Sequence, residues 1–421
     1  MESYMKNSQD KELNINHEAI VTSEKIFLFL NSYVALFFLV ISQFKPQSVI
    51  NLADYYQNII FTGMNVLWII AQFFSFIIIG SMYMQKFKIH TLNIIFYFSM
   101  FYISLISFFN ATPVSRIGSI IISPLSILML LELTYQYGVL DKLINTIYIY
   151  FGSLIILNYI SMLLFPESFF TDYRGLDVNW IFGNYQQNLN WFIIFIAFSY
   201  YIKETRGGYT KYINPLVYLL IILTTIKVWS ATTLSALGII FGLLIFYHIY
   251  PKISFFLNPF YAYIVGIITT ILIAVYEIQR YFTFFIEKIL HKSVNFTGRM
   301  TLWNNTINLI KEKPIFGHGI ELSNVTFDKI GKTTAHNHYL NLIYNGGIIY
   351  LVLTCFLVYL IVEKTKKYRY TNSIVYINVS LIGYFVYFLA EAKINLDIFI
   401  LMLAGAYYLS RVLDDKKMEN P

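Results

Sequence analysis

Residues 213–250 read INPLVYLLIILTTIKVWSATTLSALGIIFGLLIFYHIY. These 38 residues carry one charged side chain, Lys227. A helix that crosses a bilayer needs about 20 apolar residues, so the run is too long for a single span. The polar knot Trp229-Ser230-Ala231-Thr232-Thr233 supplies a turn that divides it into two membrane helices. Outward from this pair, apolar runs follow in both directions almost without pause. Helices are expected near 26–44, 59–83, 89–109, 118–136, 143–165, 188–202, 213–230, 231–250, 258–277, 338–362, 373–392 and 396–412.

The whole chain supports this reading. Of 421 residues, 57% are hydrophobic and 13% charged. The charged share is half the ~25% usual in soluble domains, and mean hydropathy is +0.59. Such numbers exclude a disordered chain, a nucleic-acid-binding domain and a disulfide scaffold. One cysteine, Cys355, excludes an intrachain disulfide and a thiolate metal cluster. The expected fold is an all-α polytopic membrane protein of about 12 transmembrane helices. No cleavable signal peptide is visible, because residues 1–25 are polar and lack an apolar core.

Lysine and arginine set the orientation. With the N-terminus in the cytoplasm, 17 of the 30 basic residues fall in inside segments and five in short outside ones. The other eight lie in 278–337, which is too long for the rule to count. The division that follows is a cytoplasmic tail over 1–25, helices one to nine over 26–277, a large extracytoplasmic loop over 278–337, helices ten to twelve over 338–412, and a cytoplasmic tail over 413–421. The net charge of +7 is therefore chiefly a topology signal. Aromatic residues reach 19%, which interfacial belts and an AT-rich gene explain in large part.

The loop is a functional candidate on length alone. Two stretches read as short amphipathic helices, 281–290 and 299–311. In the second, Leu302, Trp303, Ile307 and Ile310 fall on one face, opposite Asn304, Asn305, Asn308 and Lys311. Pro314 ends it. His291, His318, His336 and His338 lie at 291–338. A metal site is a weak reading of them, since His336 and His338 at i, i+2 share no helix face and no H-E-x-x-H spacing exists. Acid–base work is the other reading, because a lone imidazole titrates near neutral pH. Arg280 and Arg299 flank the first amphipathic stretch. Arg174 lies in another outer segment, with Asn184 and Asn188. An arginine at a membrane surface ordinarily meets lipid headgroups. Three on one side with amides and a histidine could instead cradle a diphosphate, since guanidinium forks match phosphate oxygens two at a time. Glu391, Lys393 and Asp397, near the outer end of the eleventh helix, could line the same cleft.

The order Gly298-Arg299-x-x-x-Trp303, Pro314-x-x-Gly317-x-Gly319, Ala335-His336-Asn337-x-Tyr339-Leu340 and Gly346-Gly347 resembles the O-antigen ligase and polymerase family, which includes Wzy-type polysaccharide polymerases and WaaL-type ligases. Arg174-Gly175 with Phe182-Gly183-Asn184 and Asn188 looks like its upstream outer-loop motif. The resemblance implies a GT-C-like, metal-independent glycosyltransferase of the bacterial cytoplasmic membrane, with its site on the extracytoplasmic side and no cofactor. Its donor would be a glycan on undecaprenyl diphosphate. By the same resemblance His336 falls on the proposed catalytic base and Arg299, Arg280 and Arg174 on diphosphate-binding arginines. His338, Asn337, Tyr339, Asn184, Asn188 and Trp303 are then supporting or sugar-binding. The family often opens its eighth helix with Ser/Thr-x-Ser-Arg. Here that arginine is missing, and Lys227 is the candidate to replace it.

The chemistry has its own logic. Outside the cell there is no nucleotide sugar, so the glycan must arrive activated on a lipid. No Asp-x-Asp pair exists in the sequence, in keeping with arginines in place of a metal. The expected function is polymerisation of lipid-linked repeat units into O-antigen or capsular polysaccharide. A ligase moving finished glycan to another acceptor is the alternative, and a twelve-helix flippase or transporter the second. The expected partners are the undecaprenyl-diphosphate-linked donor and acceptor glycans and the bilayer, with a chain-length regulator as a further candidate and no nucleic acid.

Overall fold

The computed structural model describes residues 22–49, 59–85, 90–171, 178–283, 298–391 and 396–419. It is a bundle of helices: α1 (Thr22–Leu30), α2 (Tyr33–Gln43), α3 (Ile59–Gln85), α4 (Thr91–Phe109), α5 (Val114–Gln136), α6 (Leu140–Leu164), α7 (Asn188–Arg206), α8 (Thr210–Val228), α9 (Ala231–Ile249), α10 (Pro259–Ala274), α11 (Arg299–Glu312), α12 (Ser323–Ile330), α13 (His338–Thr365), α14 (Asn372–Tyr387) and α15 (Leu396–Glu419). Every one of the twelve apolar segments expected from the sequence coincides with a helix. Among the described residues eight are long and apolar enough to cross a membrane, or nine if α1 and α2, bent by 72°, count as one span. Two apolar helices, α10 and α14, are shorter. The chain is an all-α polytopic membrane protein.

The run 213–250 divides where its polar knot predicts. Trp229 takes a left-handed conformation at φ 47°, and the Ser230 side chain caps α9 by accepting from the Thr233 amide. The sequence reading contained no strands. The segment between α6 and α7 nonetheless holds a small antiparallel sheet of β1 (Phe170–Thr171), β2 (Val178–Trp180) and β3 (Gly183–Asn184).

Burial sorts the helices. Residues 188–199 of α7 are buried without interruption, so α7 lies at the centre, packed against α6 and α14. A helix apolar on all sides belongs in such a place. By contrast α3 exposes Ile59, Ile60, Leu67, Phe73 and Phe74, the face a membrane protein turns to lipid.

The glycines after Pro314 and those in α13 form one packed unit. At Gly347 the helix breaks, with φ 65° and ψ −169°. The break frees the carbonyls of Tyr344 and Asn345, which accept from the amides of His318 and Gly319 at 2.8 and 2.7 Å. The Ile348 amide in turn donates to Pro314 O at 2.9 Å. Irregular backbone inside a membrane protein needs such internal partners. A Cβ on Gly347 would lie 2.0 Å from Ile315 O, and one on Gly317 2.5 Å from Asn345 O. Gly347→Ala should therefore cost roughly 3 kcal/mol or more, from a disfavoured backbone plus overlap. The check is the thermal stability of detergent-solubilised protein beside wild type.

Candidate active site

The site is built on the turn entering α13. His336 has φ 47°, a left-handed backbone that is rare outside glycine. Two clamps hold it there. Before it, Ala335 is buried, and its carbonyl accepts the Trp303 indole N–H at 3.0 Å. After it, the Asn337 side chain caps α13, accepting from the Leu340 amide at 3.0 Å. Its amide nitrogen donates to Thr270 Oγ1 at 3.1 Å and Leu389 O at 3.0 Å. Tyr339 is buried and donates from its hydroxyl to Phe385 O at 3.1 Å. Only a glycine at 266 lets its ring come so close, since a Cβ there would lie 2.1 Å from the Tyr339 oxygen. Strain at a residue held this firmly is a mark of functional sites.

The His336 side chain is about one-quarter exposed, and Nδ1 stands 3.7 Å from Glu391 Oε1. Nδ1 makes no hydrogen bond. Glu391 follows the end of α14 and is buried. Its carboxylate also acts on Arg299, the first residue of α11. Burial pulls the Arg299 pKa down, and the negative charge of the Glu391 carboxylate pushes it back up. A guanidinium stays charged in any case. An imidazole and a carboxylate thus meet between the start of α13 and the end of α14, within electrostatic reach of the guanidinium at the start of α11. Tyr387 joins this group to the short turn before α7, donating to Gln186 O at 2.7 Å. Tyr384 does the same toward Asn190 Oδ1 at 2.6 Å.

The other residues singled out in the sequence fall as follows. Asn184 caps the short helical turn before α7, accepting from the Gln186 amide at 2.9 Å. Asn188 is buried, and its amide nitrogen has no hydrogen-bond partner. His338 is buried against Phe388, ring centroids 4.2 Å apart. His318 stacks on Tyr344 and bonds Leu309 O at 2.8 Å, a loop-holding role. Arg280 is largely exposed and pairs with Glu277 three residues earlier. Lys227 bonds Met162 O, tying the end of α8 to the end of α6. Arg174, His291, Lys393 and most of the expected helix 281–290 lie outside the described residues. Among the described residues no group of three or more His, Cys, Asp or Glu side chains could hold a metal.

The sequence reading placed Glu391 in the neighbourhood but gave it no contact with His336 or Arg299. They are 55 and 92 residues away, so only the tertiary contacts that set the end of α14 beside the start of α13, Tyr339 Oη to Phe385 O and His338 N to Phe388 O, bring them near. Trp303 was read as supporting or sugar-binding. It is buried, with its N–H committed to the residue before His336. Trp303→Phe keeps the ring and removes that hydrogen bond. The expected loss of about 1 kcal/mol should slow any reaction that uses His336 several-fold, with protein level unchanged, as read by turnover of the purified variant.

No curated protein and no solved structure matches the chain. Residues 218–355, from α8 into α13 and including Arg299, Trp303 and His336, match the family model described as O-antigen ligase, a match consistent with the O-antigen ligase/polymerase family of membrane proteins.

Proposed function

We propose that the protein is an inverting glycosyltransferase that polymerises undecaprenyl-diphosphate-linked repeat units at the extracytoplasmic face of the cytoplasmic membrane. The observation that carries this reading is the grouping of His336, Glu391 and Arg299 at one end of the bundle, within 3.7 Å for the first pair. Nδ1 of His336 faces the carboxylate. Nε2 is then the nitrogen that accepts the proton of the acceptor sugar hydroxyl. The hydroxyl oxygen attacks the anomeric carbon as the bond to the diphosphate breaks, and the electron pair leaves with the diphosphate on its lipid. Arg299 stabilises the charge that gathers there, a preorganised electrostatic effect. Glu391 orients the imidazole and steadies its positive charge once the proton has moved. Arg280 and Arg174 are further candidates for the same diphosphate.

The test is reconstitution with defined undecaprenyl-diphosphate repeat units in the presence of a chelator. The expected result is a glycan ladder growing from lipid-linked repeats alone. Transfer only to a different acceptor would mark a ligase, and a strict metal requirement would overturn the arginine mechanism.

A further inference from the structure

Polymerisation uses two lipid-linked substrates, and the His336 cluster accounts for the diphosphate of the donor only. The acceptor reacts at its distal sugar, so its own diphosphate must sit a repeat unit away from His336. A second set of cations lies at the same end of the bundle. The outer loop reaches the end of α4, where the Ile320 amide donates to Ser107 Oγ at 2.8 Å. The chain then turns into α5, whose first turn carries Arg116.

Ser123, seven residues on and therefore on the same helix face, donates to the carbonyl of Gln43, the last residue of α2, at 3.2 Å. Arg116 thus stands about 10 Å along α5 from that contact, over the outer end of α2. Its Nε is buried and makes no hydrogen bond. Two residues past Gln43, Lys45 reaches to Asn65 Oδ1 on α3 at 2.6 Å. Below Lys45, α2 and α3 border a groove of about 270 Å³, walled by Phe38 and Ile41 on one side and Met64, Leu67, Trp68 and Ala71 on the other. The Trp68 indole N–H donates to Ile41 O at 3.1 Å and fixes the walls.

A buried guanidinium nitrogen without a partner is costly, and an anion would satisfy it. Two cations above an apolar groove match an amphiphile with an anionic head and a hydrocarbon tail. The route from this groove to Glu391 passes α3, α5, α15 and α14, each packed on the next. Three such steps of about 8–10 Å separate it from the donor site.

We propose that Arg116 and Lys45 bind the diphosphate of the acceptor's lipid carrier, with its first isoprene units in the α2–α3 groove. This rests on the glycosyl-transfer reading above. Native mass spectrometry of the full chain in nanodiscs with undecaprenyl diphosphate tests it. Wild type should bind two equivalents. The Arg116→Ala/Lys45→Ala variant and, separately, Ala71→Trp should each bind one. In the ladder assay the same variants should raise the KM for lipid-linked acceptor about tenfold, through loss of charge-assisted contacts in the first and a filled groove in the second, and keep kcat. Their use of a lipid-free acceptor glycan should match wild type.

Two equivalents bound by the Arg116→Ala/Lys45→Ala variant would overturn the proposal. So would equal binding of phosphatidylglycerol at this site, which would make it a bulk-lipid groove. Loss of one equivalent in a protein that makes no glycosidic bond would uphold this site and refute the glycosyl-transfer reading instead.

Discussion

Replacing His336 by alanine should abolish polymer formation. Loss of a positioned base costs roughly 10²–10⁴-fold, which empties a glycan ladder at ordinary enzyme levels. Protein amount and membrane insertion should not change, because the backbone turn is held by others. Trp303 fixes Ala335 from one side, and Asn337 caps α13 from the other. Alanine, like histidine, is unbranched at Cβ, and although it takes a left-handed backbone less readily, the two clamps hold the turn. A normal ladder from His336→Ala in reconstituted vesicles would sink the assignment. An empty lane with no protein in the membrane would trace the defect to folding, and His336→Gln, which keeps the side-chain bulk and lacks the basic nitrogen, separates the two.

Arg299→Ala should act on the donor. Removal of one preorganised donor to a developing anion costs about 10²–10³-fold in kcat. Here the change also strips Glu391 of a nearby cation. Arg299→Lys should recover only part of the loss, since an ammonium is a point charge that cannot grip two phosphate oxygens in one plane. The lysine variant carries a pH signature as well. Burial lowers the Arg299 pKa, and the same burial would lower that of a lysine placed there, from a lower starting value. Its charged form is then lost as pH rises, so the variant's residual activity should fall at alkaline pH where wild type holds. Turnover with a lipid-diphosphate donor across pH checks it, and full activity of Arg299→Lys at every pH would remove the diphosphate role.

Much of this site was legible in the linear motifs. Arg299, Trp303, His336 and Asn337 all belong to spaced signatures within one loop. The amphipathic spacing of Leu302, Trp303, Ile307 and Ile310 also marks the helix that presents Arg299. Their division of labour was not legible. A tryptophan in a sugar-handling loop and one that fixes the turn before His336 have the same letter, and only the hydrogen bond to Ala335 distinguishes them. Asn337 likewise proves committed to Leu340, Thr270 and Leu389. The glycines of 314–319 and 346–347 looked like two permissive turns. They are two halves of one contact, in which each backbone lies where the other's Cβ would be.

The sequence by itself determined the membrane class, the positions of the apolar helices and the break at Trp229–Ser230, because hydropathy and span length are local properties. A 38-residue apolar run has one physical solution, whatever packs beside it. The tertiary structure alone decided which polar groups share a site. Glu391 lies 55 residues along the chain from His336, yet its carboxylate stands 3.7 Å from the imidazole. A charge in a low-dielectric interior acts over distances set by helix packing and not by position in the chain.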